Sequence, residues 1–341
     1  MKDLYNLKDR YICYLPFLCF NIKKHDGLSL CCFHWTNDME TYNKYAEYDI
    51  DKFVDYWQSE KAKEFRNIIA KKDYSRCMNC SMFLNKDERF FTEKNCTDFF
   101  GDYGQKIVDA FHGKEFDEEY PYRFEISYDL SCNLKCITCR DDIITSYDIS
   151  DDLDDKVIEY AKHCHEFVIA GDGEALFSKH YLKILEADLS ENSKLEHIVL
   201  MTNATLLKKI WNKIHPNTRA LIKTIKISID ASTKELFEKI RRNAKWEVML
   251  ENLEFLKELK TKYNIQLETT YTISKYNLND FMNFPKFMEQ YDFDLIIFNF
   301  ADLNFRINEV LENGYAVDEK TKKEVHEIIE SLKKESKIYI I

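Results

Sequence analysis

From Tyr122 onward the chain alternates six times between a short run of β-branched and aromatic residues and a longer amphipathic run. Nothing else restricts its fold as strongly. The strand-like runs are YRFEISYDL, EFVIAG, HIVLMTN, TIKISID, QLETTYTIS and DLIIFNFAD. Between them apolar positions recur at the helical period, as Val157, Tyr160, Ala161 and Cys164 do in DDKVIEYAKHCHEF. KHYLKILEADL, LLKKIWNKI, TKELFEKIRR, WEVMLENLEFLKELKTKYN and NDFMNFPKFMEQY supply the other spacers, and EKTKKEVHEIIESLKKES is a last helix. Such alternation predicts an α/β layer architecture with parallel strands.

The first 120 residues carry no such rhythm. They hold most of the eleven cysteines, many aromatics and short uneven segments. So irregular a segment would struggle to bury a core without a metal staple. A boundary near residues 118–122 is therefore expected, separating a small module over 1–120 from the alternating region over 121–341.

The net charge of −11 argues against a nucleic-acid partner, which clustered Lys and Arg would bind. No window reaches the run of about twenty apolar residues of a membrane helix. The start, MKDLYNLKDRYICYLPFLCF, is too charged for a signal peptide. A cytoplasmic location follows, and in that compartment grouped cysteines point to metal or redox chemistry rather than disulfides. The groups are Cys13 with Cys19, Cys31 with Cys32, Cys77 with Cys80, and Cys132 with Cys136 and Cys139.

The last group carries the sharpest signal. In DLSCNLKCITCR, directly after the first strand of the alternation, the spacing is Cys-x3-Cys-x2-Cys. Clusters held by protein alone usually have four cysteines. Three thiolates on one loop leave one iron of a 4Fe-4S cubane open to an exogenous ligand. A zinc site would need a fourth ligand nearby, and RDDIITS offers carboxylates but no His or Cys.

At this loop the sequence resembles the radical S-adenosylmethionine (SAM) superfamily. The resemblance implies a partial (β/α)6 TIM-like barrel, covering about Arg123 to Asp302. It also implies a 4Fe-4S cluster on Cys132, Cys136 and Cys139, whose open iron binds the amino and carboxylate groups of S-adenosylmethionine. Thr138 stands where the family often has an aromatic residue. Gly171-Asp172-Gly173-Glu174-Ala175 resembles the family's GGEP segment, which contacts the amino group of S-adenosylmethionine. Thr202-Asn203-Ala204 resembles TNG, and Ser228-Ile229-Asp230 resembles SxD. Arg241 resembles an arginine near the methionine carboxylate, with Arg242 as the alternative. The cofactor-binding set implied is Gly171, Asp172, Gly173, Glu174, Asn203, Ser228, Asp230 and Arg241. Cys132, Gly171, Asn203, Ser228 and Asp230 fall at, or just after, C-terminal strand ends, the rim on which β/α barrels build their sites.

The N-terminal segment CYLPFLCFNIKKHDGLSLCCFHW and the later EFRNIIAKKDYSRCMNC resemble a SPASM or twitch module. Asp26-Gly27 would form a hairpin turn. The resemblance implies an auxiliary 4Fe-4S cluster on Cys13, Cys32, Cys77 and Cys80, with Cys96 as a replacement ligand. Zinc on Cys77 and Cys80 is the alternative. Cys19 and Cys164 read as core, and His25 and His34 as surface or packing residues.

The function implied is a radical SAM oxidoreductase that cleaves S-adenosylmethionine reductively and abstracts a substrate hydrogen, modifying a peptide or protein side chain. An external donor such as flavodoxin or ferredoxin would supply electrons. Dehydrogenation or epimerisation of a sugar or aminocyclitol, a small polar substrate, is an alternative, as is a non-catalytic iron–sulfur scaffold. Tyr271, Asn299 and Asp302 sit at strand ends suited to a base, and sequence does not choose among them.

Overall fold

The computed structural model describes residues 12–24, 27–31, 46–75, 77, 92–145, 149–169, 171–301 and 315–341. Among the described residues there are nine strands: β1 Cys19–Lys23, β2 Gly27–Ser29, β3 Arg123–Ser127, β4 Glu166–Ile169, β5 His197–Thr202, β6 Ile222–Ser228, β7 Gln266–Ile273, β8 Leu295–Phe300 and β9 Tyr339–Ile340. Their order in the sheet is β2-β1-β3-β4-β5-β6-β7-β8-β9. This order is linear, so the sheet is open, as in a partial barrel. The six strands expected from the alternation are β3 to β8. Among the described residues no helix is long and apolar enough to cross a membrane.

The chain divides into two compact units. The first comprises Met1–Tyr128, Glu159–Phe167 and Ser193–Leu195. Here β1 and β2 form an antiparallel hairpin with Lys23 opposite Gly27. Gly27 has φ +72°, and a Cβ there would lie 2.3 Å from the Glu47 carbonyl oxygen, so only glycine fits. The expected turn partner Asp26 lies outside the described residues, as do His25 and His34. β1 pairs in parallel with β3, setting Phe20 beside Phe124.

This unit buries a core in which aromatic side chains from the first 120 residues pack with those of β3 and β4. Phe124 stacks on Phe20, Phe53 and Phe167 at centroid distances of 5.6, 6.0 and 5.5 Å. A second cluster gathers Ile12, Cys13, Phe17, Ile69, Tyr74, Cys77, Cys96 and Ile107. Aromatic side chains bury so much area each that short, uneven elements suffice. Helices Glu60–Ala70 and Glu93–Phe111 are N-capped by Ser59 and Thr92, whose side chains accept from Ala62 N and Asn95 N.

The second unit comprises Asp129–Ile158, Val168–Asn192 and Glu196–Ile341. Strands β5 to β9 pair in sequence order, all in parallel. The longest spacer is helix Trp246–Tyr263, which buries Met249, Leu253, Leu256 and Leu259 and ends on Asn264 in the left-handed region. Cys164 is fully buried as expected, although its helix already ends at Ala161. Two elements were not foreseen. Pro216 opens a short helix, Pro216–Leu221, in the N1 position that proline favours. β9 adds Tyr339–Ile340 beside β8.

Candidate active site

The three-cysteine loop is held at several points by the backbone after helix Lys234–Ile240. Lys135 N donates to Arg242 O at 3.1 Å, and Ile137 N to Ile240 O at 2.9 Å. Arg242 Nε donates back to Lys135 O at 2.8 Å, and Asn243 Nδ2 to Asn133 O at 2.8 Å. Arg242 is thereby committed to the loop backbone, so of this pair it is Arg241 that faces a cysteine, Cys136.

Each cysteine sulfur meets a donor. Cys132 Sγ accepts from Leu134 N at 3.4 Å and lies 3.8 Å from Asn203 Nδ2. Cys136 Sγ lies 3.9 Å from Arg241 Nη1. Cys139 Sγ accepts from Arg140 Nε at 3.3 Å. Burial pushes the Cys132 thiol up to about 12, reinforced by Glu174 and opposed by Arg140. Burial likewise raises Cys136 to about 11 against the pull of Arg241. Both are thus protonated when free, and metal binding must release those protons. Donors aimed at sulfur are what a ligating thiolate needs, so the residues fit an iron–sulfur cluster. Among the described residues no three His, Cys, Asp or Glu side chains converge to hold a single metal ion, whereas a cubane spreads its cysteines around a larger body.

The GDGEA turn packs directly on the backbone before the cysteines. A Cβ on Gly173 would stand 2.2 Å from Asp129 O, and Glu174 N donates to Ser131 O at 2.8 Å. Gly171 is exposed and Asp172 half-buried. Glu174, 1% exposed, accepts from Leu176 N at 3.0 Å, Thr202 Oγ1 at 2.5 Å and Asn203 N at 2.6 Å. Its carboxylate is engaged inside the protein and fastens the turn to the end of β5. Burial raises its pKa against those hydrogen bonds.

Asn203 is also fully engaged. Its Nδ2 reaches Asn133 Oδ1 at 2.9 Å besides Cys132, and its Oδ1 accepts from Thr205 N and Oγ1 at 3.0 and 2.7 Å. Ser228 Oγ accepts from Thr270 Oγ1 at 3.0 Å. Asp230 adopts φ +63° and accepts from Thr272 N at 2.7 Å and Arg241 Nη2 at 2.5 Å. Arg241 Nε is buried with no hydrogen-bond partner, a donor left for an anion. Such a donor fits the carboxylate of S-adenosylmethionine.

Asn203 and Arg241 thus meet the cysteine loop, Asp230 acts on it through Arg241, and Gly173 and Glu174 abut its base. Tyr271 does not suit a base: it is fully buried, its hydroxyl lies 3.0 Å from Asp280 Oδ2, and burial with Asp280 drives its pKa upward. Asn299 is exposed, and Asp302 lies outside the described residues. Sequence reasoning passed over Arg140, which packs against Cys139. Its adjacency to the last cysteine was the available signal.

In the first unit Cys13 and Cys77, 64 residues apart, each contact Tyr74 and belong to one buried cluster. Cys13 N donates to Tyr74 Oη at 3.2 Å, and Cys77 N to Tyr74 O at 2.9 Å. Cys32 and Cys80 lie outside the described residues. Cys96 is fully buried, with its sulfur 3.6 Å from the Gly104 carbonyl oxygen. Cys19 is half-buried and packs on the cluster around Cys13.

The family model of the radical SAM superfamily matches residues 130–288. No curated protein matches the chain. Among solved structures, Streptococcus suis SuiB bound to S-adenosylmethionine is 13% identical, with 89% of this chain and 65% of that one covered and a TM-score of 0.46. anSMEcpe with bound AdoMet and Kp18Cys peptide is 20% identical, with 64% and 63% covered and a TM-score of 0.45. Methylornithine synthase (PylB) is 12% identical, with 70% and 72% covered and a TM-score of 0.42. The chain spans 65% of the length of SuiB and 63% of that of anSMEcpe.

Proposed function

We propose, from the match of residues 130–288 to the radical SAM family model, that the chain is a radical SAM enzyme acting on a peptide or protein side chain. Cys132, Cys136 and Cys139 would hold the 4Fe-4S cluster, and the rim around Gly173, Asn203 and Arg241 would hold S-adenosylmethionine. The observation that carries this reading is that all three sulfurs on one loop face N–H donors: Leu134 and Arg140 of the loop itself, Asn203 just past β5, and Arg241 after helix Lys234–Ile240. When bound, the cluster and S-adenosylmethionine supply a 5′-deoxyadenosyl radical for hydrogen abstraction.

The chain's own residues bind and orient. Gly173 lets the turn approach Asp129, so its backbone is placed beside the cysteine loop. Arg241 carries the unpaired Nε donor and would receive the carboxylate of S-adenosylmethionine, while Asp230 fixes its guanidinium. Asn203 and Asn133 brace Cys132. Asp172, Glu174, Gly171 and Ser228 shape the same rim, Glu174 from inside.

In the first unit, Cys13, Cys32, Cys77 and Cys80 would bind an auxiliary 4Fe-4S cluster, a reading supported by the burial of Cys13 and Cys77 in one cluster with Tyr74. Oxidation of a side chain releases electrons that such a cluster can accept, and an external donor such as flavodoxin or ferredoxin would reduce the first cluster. The peptide substrate rests on the SPASM-like N-terminal pattern.

The test is formation of 5′-deoxyadenosine by protein reconstituted with iron and sulfide without oxygen, then given S-adenosylmethionine and dithionite. Wild type should form it and Cys139→Ala should not. Absence of product from wild type carrying a full, reducible cluster overturns the enzyme reading and leaves the iron–sulfur scaffold. Turnover stimulated by cell extract that passes a small-molecule cutoff membrane would replace the peptide by a sugar or aminocyclitol.

A further inference from the structure

Arg140 stands beside Cys139 in the chain and is 2% exposed. Its guanidinium has three partners: Nε donates to Cys139 Sγ at 3.3 Å, Nη1 to Leu130 O at 2.6 Å, and Nη2 to the Asp172 carbonyl. Among the described residues it forms no ion pair with a carboxylate. The other buried arginine at the site, Arg241, differs in having Asp230 as its partner.

A buried cation without a counter-ion is costly. The Arg140 guanidinium touches the Cys139 sulfur directly and otherwise only neutral carbonyls. Thiolates around a cluster would supply the negative charge that this cation lacks. The same fork joins the cysteine loop to the GDGEA turn, because Leu130 precedes Cys132 and Asp172 lies within the turn.

We propose that Arg140 is the fixed countercharge of the cluster on Cys132, Cys136 and Cys139, and that it positions Cys139 against the GDGEA turn and raises the cluster's reduction potential. This rests on the cluster assignment made above. Reduction adds one electron, and so one negative charge, to the cluster, with dithionite as the donor in vitro. A cation hydrogen-bonded to a ligating sulfur stabilises that added charge. Arg241 contributes less, since Asp230 neutralises it.

The experiment is an anaerobic redox titration of the reconstituted full chain, read by the electron paramagnetic resonance signal of the reduced cluster. It is run on Cys13→Ala/Cys77→Ala protein, so that only one cluster reports, and on that protein carrying Arg140→Lys or Arg140→Gln. At the parent midpoint R140Q should hold at least about tenfold less reduced cluster relative to oxidised, equivalent to a shift of about 59 mV for one electron. R140K, which keeps the charge, should stay within about threefold of the parent, about half that shift. An R140Q midpoint equal to the parent's overturns the inference and leaves the cluster intact. If R140Q takes up no cluster, R140K decides: a midpoint near the parent's supports the countercharge, and loss of the cluster in both assigns Arg140 to the fold alone and overturns it. A parent that binds no cluster overturns the underlying assignment as well.

Discussion

Glu174→Gln is the substitution that most directly tests how the rim is held. The carboxylate accepts from Leu176 N, Thr202 Oγ1 and Asn203 N at 3.0, 2.5 and 2.6 Å and is 1% exposed. A glutamine can turn its oxygen to Asn203 N, but its NH2 then faces Leu176 N, and a buried donor is left without an acceptor. That costs about 1–3 kcal/mol, or a fall in Tm of about 2–4 °C per kcal/mol for a domain of this size. The pH dependence adds a second signature. Burial holds the Glu174 pKa above its ordinary 4.5, so its folded state favours the protonated form. Stability from this source is complete below 4.5 and is lost as pH rises through the folded value. Glutamine does not titrate, so the deficit of E174Q should be largest near pH 4.5 and shrink as pH rises. Thermal melts of both proteins from pH 4.5 to 8 read this. An E174Q variant that melts with wild type at every pH refutes the assignment of Glu174 as the clasp between turn and strand.

Four further outcomes are expected. Gly173→Ala forces a methyl to within 2.2 Å of Asp129 O and should lower stability by about 1–3 kcal/mol in denaturant melts, with weaker S-adenosylmethionine binding by calorimetry. Asp230→Asn keeps the acceptor for Thr272 N but leaves Arg241 buried and unpaired, a loss of about 3–5 kcal/mol measurable by urea unfolding. Cys77→Ala should lower the iron content of reconstituted protein from about eight to about four per chain and leave 5′-deoxyadenosine formation in place. Cys96→Ala, inside the packed core, should lower Tm with iron unchanged.

The alternation of strand and helix patterns was enough to place β3 to β8, because strands flanked by amphipathic helices carry both periods openly. The motif residues were also legible as positions on a rim. Their partners were not. Nothing local to Asp230 says that its carboxylate meets Arg241 and Thr272 N rather than solvent or ligand, since those pairings depend on where two later elements return. Ala204 shows the same limit from the other side: at φ +62° it occupies a conformation suited to the glycine of TNG, which explains why that motif carries glycine there. The packing of the first unit was not legible, because Phe20, Phe53, Phe124 and Phe167 are drawn from distant parts of the chain.

The pairings at the three sulfurs follow a division of labour that no single motif reveals. Cys132 is addressed by Asn203, just past β5. Cys136 is addressed by Arg241, itself anchored on Asp230 just past β6. Cys139 is addressed by Arg140, whose fork also grips Asp172 in the turn after β4. A flexible loop bearing three thiols has many arrangements, and only a few match one cluster. Tying each sulfur to a different strand end removes most of that freedom before any iron arrives, because the strand ends are fixed by the sheet. Preorganisation of this kind makes the supporting shell as sensitive to mutation as the ligands. It also separates the consequences: loss of Asn203, Asp230 or Arg140 disturbs one cysteine while the other two keep their donors, so each should leave its own spectroscopic mark on the cluster.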